Sequence, residues 1–164
     1  MLKRVVITGF GAVCPVGLNT GEIFANLVNS KSGISQIESF DTTGFETTIA
    51  GEIKVGEGAF NPTKFVPHKD LKKLDKFMVY AMAAADEAIE MSGWKPTAEK
   101  DLIRTGVTIG SGIGGLEVIE DTVLKMAEKG ISRVSPFFIP ASLINLASGH
   151  VSIKYGFLGP NHAT

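Results

Sequence analysis

The sequence predicts an α/β fold in which a largely parallel sheet is covered by helices. Three observations carry this. Two β-branched runs, residues 4–8 and 105–109, each end in glycine. Apolar residues recur at helical spacing after each run. The 19 glycines cluster at the ends of apparent strands, where tight strand-to-helix turns need them.

The elements follow in order. Arg4-Val5-Val6-Ile7-Thr8, closed by Gly9-Phe10-Gly11, reads as a buried strand led into by Met1-Leu2-Lys3. Pro15, Gly17 and Asn19 punctuate a loop, and Thr20 is the expected cap of a helix over residues 22–30 that carries Ile23, Phe24, Leu27 and Val28. Residues 31–67 are irregular, with one or two short strands around 47–53. Residues 69–92 form the clearest helix, with one stripe of Leu71, Leu74, Met78, Ala81, Ala85, Ala88 and Ile89. Gly93 suits its C-terminal turn, with Trp94 packing back. A second helix spans 116–129 and closes at Gly130. Pro140 opens a third at its favoured first position. Residues 142–155 are apolar or small nearly all round, so this helix is expected to be buried and to end at Gly156. Gly159-Pro160 turns the chain into one more element at 161–164. Residues 1–164 read as one domain, without repeats or a linker.

Composition narrows the function classes. A formal charge of −1 argues against generic nucleic-acid binding. No apolar run approaches the ~18 residues that span a bilayer. The N-terminus has no apolar run followed by small-residue cleavage chemistry, so no signal peptide is expected. One cysteine, Cys14, forms no internal disulfide, which fits a reducing compartment and a cytoplasmic location.

Gly110-Ser-Gly112-Ile-Gly114-Gly115 lies between a strand and a helix and fits the dinucleotide pattern G-x-G-x-x-G. That pattern also wants an acidic residue at the end of the next strand. Here Glu128 still belongs to the helix. A tight turn with close backbone packing is the competing reading, and a turn lining a ligand tunnel is a third. Cys14 sits beside Pro15 with no local histidine to activate it, so it reads as an inert packed thiol. His68, His150 and His162 match no metal-ligand spacing. Lys69, Lys72, Lys73 and Lys76 fall at i, i+3, i+4 and i+7 and would line one helix face. Such a stripe is either a solvated face or a docking patch for an acidic partner.

Several separated segments carry a family likeness. Arg4-Val-Val-Ile-Thr-Gly-Phe-Gly-Ala-Val-Cys-Pro-Val-Gly17 resembles the opening of β-ketoacyl-acyl-carrier-protein synthases. Ser32-Gly33-Ile34 and Phe40-Asp41 also match. Gly110 to Gly115, Ser135-Pro-Phe-Phe-Ile-Pro140, Gly149-His150, Tyr155-Gly156 and Gly159-Pro160 are similar to the elongating type II members. The resemblance covers the whole chain.

It implies a thiolase-like αβαβα layered fold, of which this chain is an incomplete first half ending before the family's nucleophile turn. It also implies decarboxylative Claisen condensation in fatty-acid elongation. A cysteine takes the acyl group from acyl-carrier protein, and the carbanion formed as malonyl-carrier protein loses carbon dioxide then attacks it. Two histidines and a lysine assist. None of these catalytic residues matches a position here, so the 164 residues alone are expected to be inactive and poorly stable. Ile113 matches a residue gating the acyl pocket, and Phe138 one that closes the partner's pocket across a homodimer. Lys69, Lys72, Lys73 and Arg133 match basic positions that hold carrier protein. No metal, cofactor, nucleic acid or membrane is expected. Two rivals are a dinucleotide-binding oxidoreductase and a non-enzymatic carrier-protein docking module.

Overall fold

The computed structural model describes residues 3–164; Met1 and Leu2, placed by the sequence at the head of the first β-branched run, lie outside the described residues. In chain order the elements are α1 (Thr20–Val28), β1 (Ile34–Gln36), β2 (Ile49–Gly51), α2 (His68–Leu71), α3 (Lys76–Ser92), α4 (Glu99–Leu102), β3 (Val107–Thr108), α5 (Leu116–Lys129), α6 (Phe138–Ser142), α7 (Asn145–Tyr155) and β4 (Asn161–His162). They fall into two compact units, one made of residues up to 62 with 83–93, the other of residues 63–82 and 94–164.

In the first unit, residues 4–8 form no strand, contrary to the sequence expectation. β-branched side chains favour extended backbone, but a strand also needs a neighbour to pair with. Val5 is 92% exposed and Ile7 87%. What anchors the segment is the pair of glycines behind it. A Cβ at Gly9 would overlap the carbonyl oxygen of Ala88, and one at Gly11 that of Ala84. The loop thus lies directly on the α3 backbone, where only glycine fits.

The cap of α1 is Asn19 rather than Thr20. The Asn19 Oδ1 accepts from the Glu22 N–H at 2.8 Å, and Glu22 returns a carboxylate oxygen to the Leu18 N–H at 2.9 Å. The first bond satisfies an N–H that the first helical turn leaves unpaired, and the second ties down the residue before the cap. Thr20 instead gives both its N–H (2.9 Å) and its hydroxyl (2.6 Å) to Glu87 of α3, which also accepts from the Ala12 N–H at 3.0 Å. Burial opposes ionisation of Glu87, but the Thr20 hydroxyl and the two backbone donors outweigh it and hold the carboxyl below its ordinary value. β1 and β2 pair antiparallel with Ser35 opposite Ala50. They fall within the stretch expected to be irregular with short strands.

In the second unit, the helix expected over 69–92 is broken. α2 ends at Leu71, residues 72–75 turn, and α3 begins at Lys76. Leu71 and Leu74 therefore lie outside α3, whose deepest residues are Met78, Val79, Met82 and Ala83. Asp75 causes the restart. Its carboxylate accepts from the Phe77 N–H at 3.3 Å and, with the other oxygen, from the Val118 N–H at 3.2 Å. One side chain, 7% exposed, caps the first turns of both α3 and α5.

The helix expected from Pro140 onward is likewise two helices. Leu143 is extended (φ −76°, ψ 131°), and Pro140 sits inside α6 rather than at its first position. The Ser142 carbonyl is drawn to the Gly115 N–H at 3.1 Å, and the Ser142 hydroxyl donates to Ile139 O. Those bonds compete with helical continuation. α7 buries Ala147, Ser148 and Val151, but Leu143 and Ile153 are exposed, so the expected all-round burial is limited to one face. α5 and its closing Gly130 (φ 82°) match the sequence reading, as does Gly156 (φ 70°) after α7. Trp94 donates its indole N–H to the Thr105 hydroxyl at 3.0 Å.

β3 and β4 pair in parallel, Val107 with Asn161 and Thr108 with His162, as the sequence order implied. The ladder continues through Ile109 N–H to His162 O and Ser111 N–H to Thr164 O. α7 packs against both strands. The Ser148 hydroxyl, fully buried, donates to Asn161 Oδ1 at 2.8 Å, and the Asn161 amide donates to the Ser152 hydroxyl at 2.7 Å.

Two outcomes follow. Asp75→Ala is expected to destabilise the protein by about 2–4 kcal/mol in urea unfolding, because it removes two helix caps and leaves part-buried N–H groups unpaired. Asp75→Asn, which keeps one acceptor, is expected to cost about half of that. For Glu87 the sign is fixed by its lowered pKa. Its contribution is complete above the ordinary carboxylate value of 4.5 and is lost as pH falls through the lower folded value. Glu87→Gln is therefore expected to unfold less steeply on acidification below that point than the parent chain, while being less stable at neutral pH.

Candidate functional site

The glycine-rich turn between β3 and α5 is a packing device. Gly114 has φ 86°, a left-handed conformation that glycine adopts without penalty. Its N–H donates to the Ser111 hydroxyl at 3.2 Å, the Gly115 N–H to Ser142 O and the Val118 N–H to Asp75. Three N–H groups that could face a pyrophosphate at this helix N-terminus are thus committed to protein oxygens. A Cβ on Gly115 would lie 2.6 Å from Ala141 O, so the turn presses on the end of α6. These contacts favour the tight-turn reading over the dinucleotide one. Ile113 stands at the tip of the turn, 66% exposed.

Residues 135–138 lead into α6. The Ser135 hydroxyl accepts from the Phe137 N–H at 3.1 Å and its carbonyl from the Phe138 N–H at 3.0 Å, which starts the helix. Phe138, Lys72, Val118, Asp121, Lys125 and Ala141 line a cleft of about 180 Å³ beside α5. Phe138 is half-buried there and Lys72 exposed.

The lysine stripe does not lie on one helix, because of the break before α3. Lys69 is on α2 and exposed; Lys72 and Lys73 are in the turn. Lys73 donates to Asp70 at 2.7 Å and lies 5.2 Å from the Phe137 ring centre, within cation–π range. Its hydrogen bond, foremost, holds the Asp70 carboxyl below its ordinary value, and the Lys69 charge adds to this. Lys76 pairs with Glu117 at 2.8 Å, tying the start of α3 to that of α5. Arg133 closes a short 3₁₀ turn after α5 and is exposed. The structure thus joins Lys72, Lys73, Phe137 and Phe138 around one side of α5 and α6. Phe137 and Asp75 escaped the sequence reading. An Asp directly before an apolar helical run is a cap signal that could have revealed Asp75.

Cys14 is half-buried, and its backbone exchanges two hydrogen bonds with Gly17 at 2.9 and 3.0 Å. His68 and His162 are exposed. His150, within α7, is half-buried. Burial lowers its pKa and the nearby Asp70 charge partly restores it. Among the described residues no three His, Cys, Asp or Glu side chains converge as a metal site, and no helix is long and apolar enough to cross a membrane.

The family model described as "Beta-ketoacyl synthase, N-terminal domain" matches residues 2–164. The chain is 46% identical over 165 residues to the 3-oxoacyl-[acyl-carrier-protein] synthase 2 of Rhizobium meliloti, covering 99% of this chain and 39% of that protein. It is 43% identical over 161 residues to the enzyme of the same name from Vibrio harveyi, covering 98% and 38%. It spans about two fifths of these relatives. Among solved structures it is similar to the ishigamide ketosynthase/chain length factor, with TM-score 0.80, 25% identity and coverage of 97% of this chain and 39% of that one. The fold is accordingly the front part of the thiolase-like ketosynthase fold.

The glycine geometry has a direct check. Gly115→Ala is expected to cost about 1–3 kcal/mol in thermal or urea unfolding, since its Cβ would meet backbone atoms of Ala141 and Ser142 in α6 and the Asp75 carboxylate. A Cβ at Gly112 meets nothing within 4 Å, so Gly112→Ala is expected to change stability by no more than about 0.5 kcal/mol.

Proposed function

The chain belongs to the β-ketoacyl synthase family, matching its N-terminal domain, and from that premise we propose that it serves an elongating 3-oxoacyl-acyl-carrier-protein synthase. The observation that carries the reading is the 46% identity, spread over nearly the whole chain, to a relative with that name. The reaction is decarboxylative condensation. A thiolate attacks the carrier thioester and the carrier thiol leaves. Malonyl-carrier protein then loses carbon dioxide, and its carbanion displaces the cysteine to give the 3-oxoacyl-carrier protein.

Within that reaction this chain supplies binding and shape. Lys69, Lys72, Lys73 and Arg133 receive the acidic carrier protein. Asp70 and Phe137 hold Lys73 in place for it. Ile113 and Phe138 border the acyl pocket, Phe138 across a homodimer contact. The stage is the cytoplasm. No residue among the 164 matches the family's nucleophile or its two histidines, so the chain alone is expected not to condense.

The test is binding of acyl-carrier protein to this chain across a salt series. Lys69→Glu with Lys72→Glu is expected to weaken binding about tenfold and to flatten its salt dependence, because both side chains are exposed and contribute by long-range attraction. Unchanged affinity in the double variant would remove the basic patch from the docking surface.

A further inference from the structure

The second unit contains a cavity of about 690 Å³ that neither the condensation nor the docking reading uses as a whole. That volume is in the range of small-molecule sites, roughly 300–1,000 Å³. Its walls are Phe65, Val66, Leu74, Met82 and Ile153, drawn from the loop before α2, the turn after it, α3 and α7. Its polar groups sit among these walls with an uneven charge. Lys64, Lys73 and Lys154 line it beside Asp70 and His150, so cationic side chains outnumber the one carboxylate. Two of the lysines are held in place. Lys73 is fixed by Asp70 at 2.7 Å, and the Lys154 Nζ donates to Phe65 O at 3.0 Å, bridging α7 to the loop before α2. Ile113 and Phe138 take no part in this lining.

An apolar cavity with a net cationic rim complements a ligand that has a long apolar tail and one anionic end. We propose that this cavity binds a medium-chain fatty carboxylate, its methylenes along Phe65, Val66, Leu74, Met82 and Ile153 and its carboxylate at the lysine rim. Tail burial supplies the affinity and the rim selects the head group. The proposal stands on the cavity's shape and charge, and a failure of the condensing reading leaves it untouched.

Calorimetric titration with decanoate, below its micelle-forming concentration, tests it. Expected is one saturable site, with octanoate about fifteenfold weaker because each of the two missing methylenes contributes about a fourfold gain. Decyltrimethylammonium, with the same tail and the opposite charge, is expected not to compete. Ile153→Asp puts a carboxylate in the wall at a position 76% exposed, where the fold tolerates it, and is expected to weaken decanoate at least tenfold. Lys154→Gln is expected to weaken it about fivefold while leaving the octanoate-to-decanoate ratio unchanged. Circular dichroism of each variant confirms that it is folded. Heat that never saturates, equal binding of the cationic amphiphile, or full decanoate affinity in folded Ile153→Asp would each overturn the assignment.

Discussion

A carboxylate at each end of α3 collects backbone N–H groups that no helix or sheet would otherwise satisfy. Asp75, just before the helix, takes one donor from α3 and one from the first turn of α5. Glu87, near the other end, takes the Ala12 N–H and both donors of Thr20. Unpaired N–H groups at helix starts and loop ends are expensive when sheltered from water, and ionised acceptors bind them about twice as strongly as neutral ones. In the second unit this interaction sets the direction of α5. The Gly110–Gly115 turn, the press of Gly115 on α6 and the placement of Phe138 all follow from it. In the first unit the same chemistry pins the loop that carries Gly9, Gly11 and Cys14.

The parallel pair β3–β4 rests on a different constraint, close backbone approach. A Cβ at Gly106 would lie 2.7 Å from Pro160 O, and one at Gly159 would lie 2.6 Å from Thr105 C. The strands therefore meet where both sides lack side chains. Side chains then fix the register: Asn161 of β4 is gripped by Ser148 and Ser152 of α7, four residues apart on one helical face. A buried hydroxyl with a defined partner specifies one alignment, which an apolar contact of the same size would not.

Charge is distributed by the same logic. Lys73, Lys76 and Lys125 are drawn into pairs with Asp70, Glu117 and Asp121. Lys69, Lys72 and Arg133 are exposed, the arrangement that long-range attraction of an acidic partner needs. Lys73 has a double position, paired to Asp70, set over Phe137, and lining the apolar cavity beside Leu74 and His150. Its ammonium is the most constrained of the four basic residues proposed for docking.

The sequence by itself determined the elements whose signals are local. α5 with Gly130, the end of α7 at Gly156 and the short strand near 47–53 follow from side-chain periodicity and glycine conformation, which neighbouring residues set. The family motifs were legible for the same reason, as contiguous residue strings. Only the tertiary structure decided the rest. Residues 4–8 carry a strand's composition but form none, because pairing belongs to the partner and not to the run. The breaks at 72–75 and 143–144 were invisible because the groups that make them, Val118 N–H for Asp75 and Gly115 N–H for Ser142, lie 43 and 27 residues away. The glycine turn could be either a phosphate cradle or a packing joint by its spacing. Which one it is depended on whether its N–H groups already had oxygens to face, and that is a property of the folded chain alone.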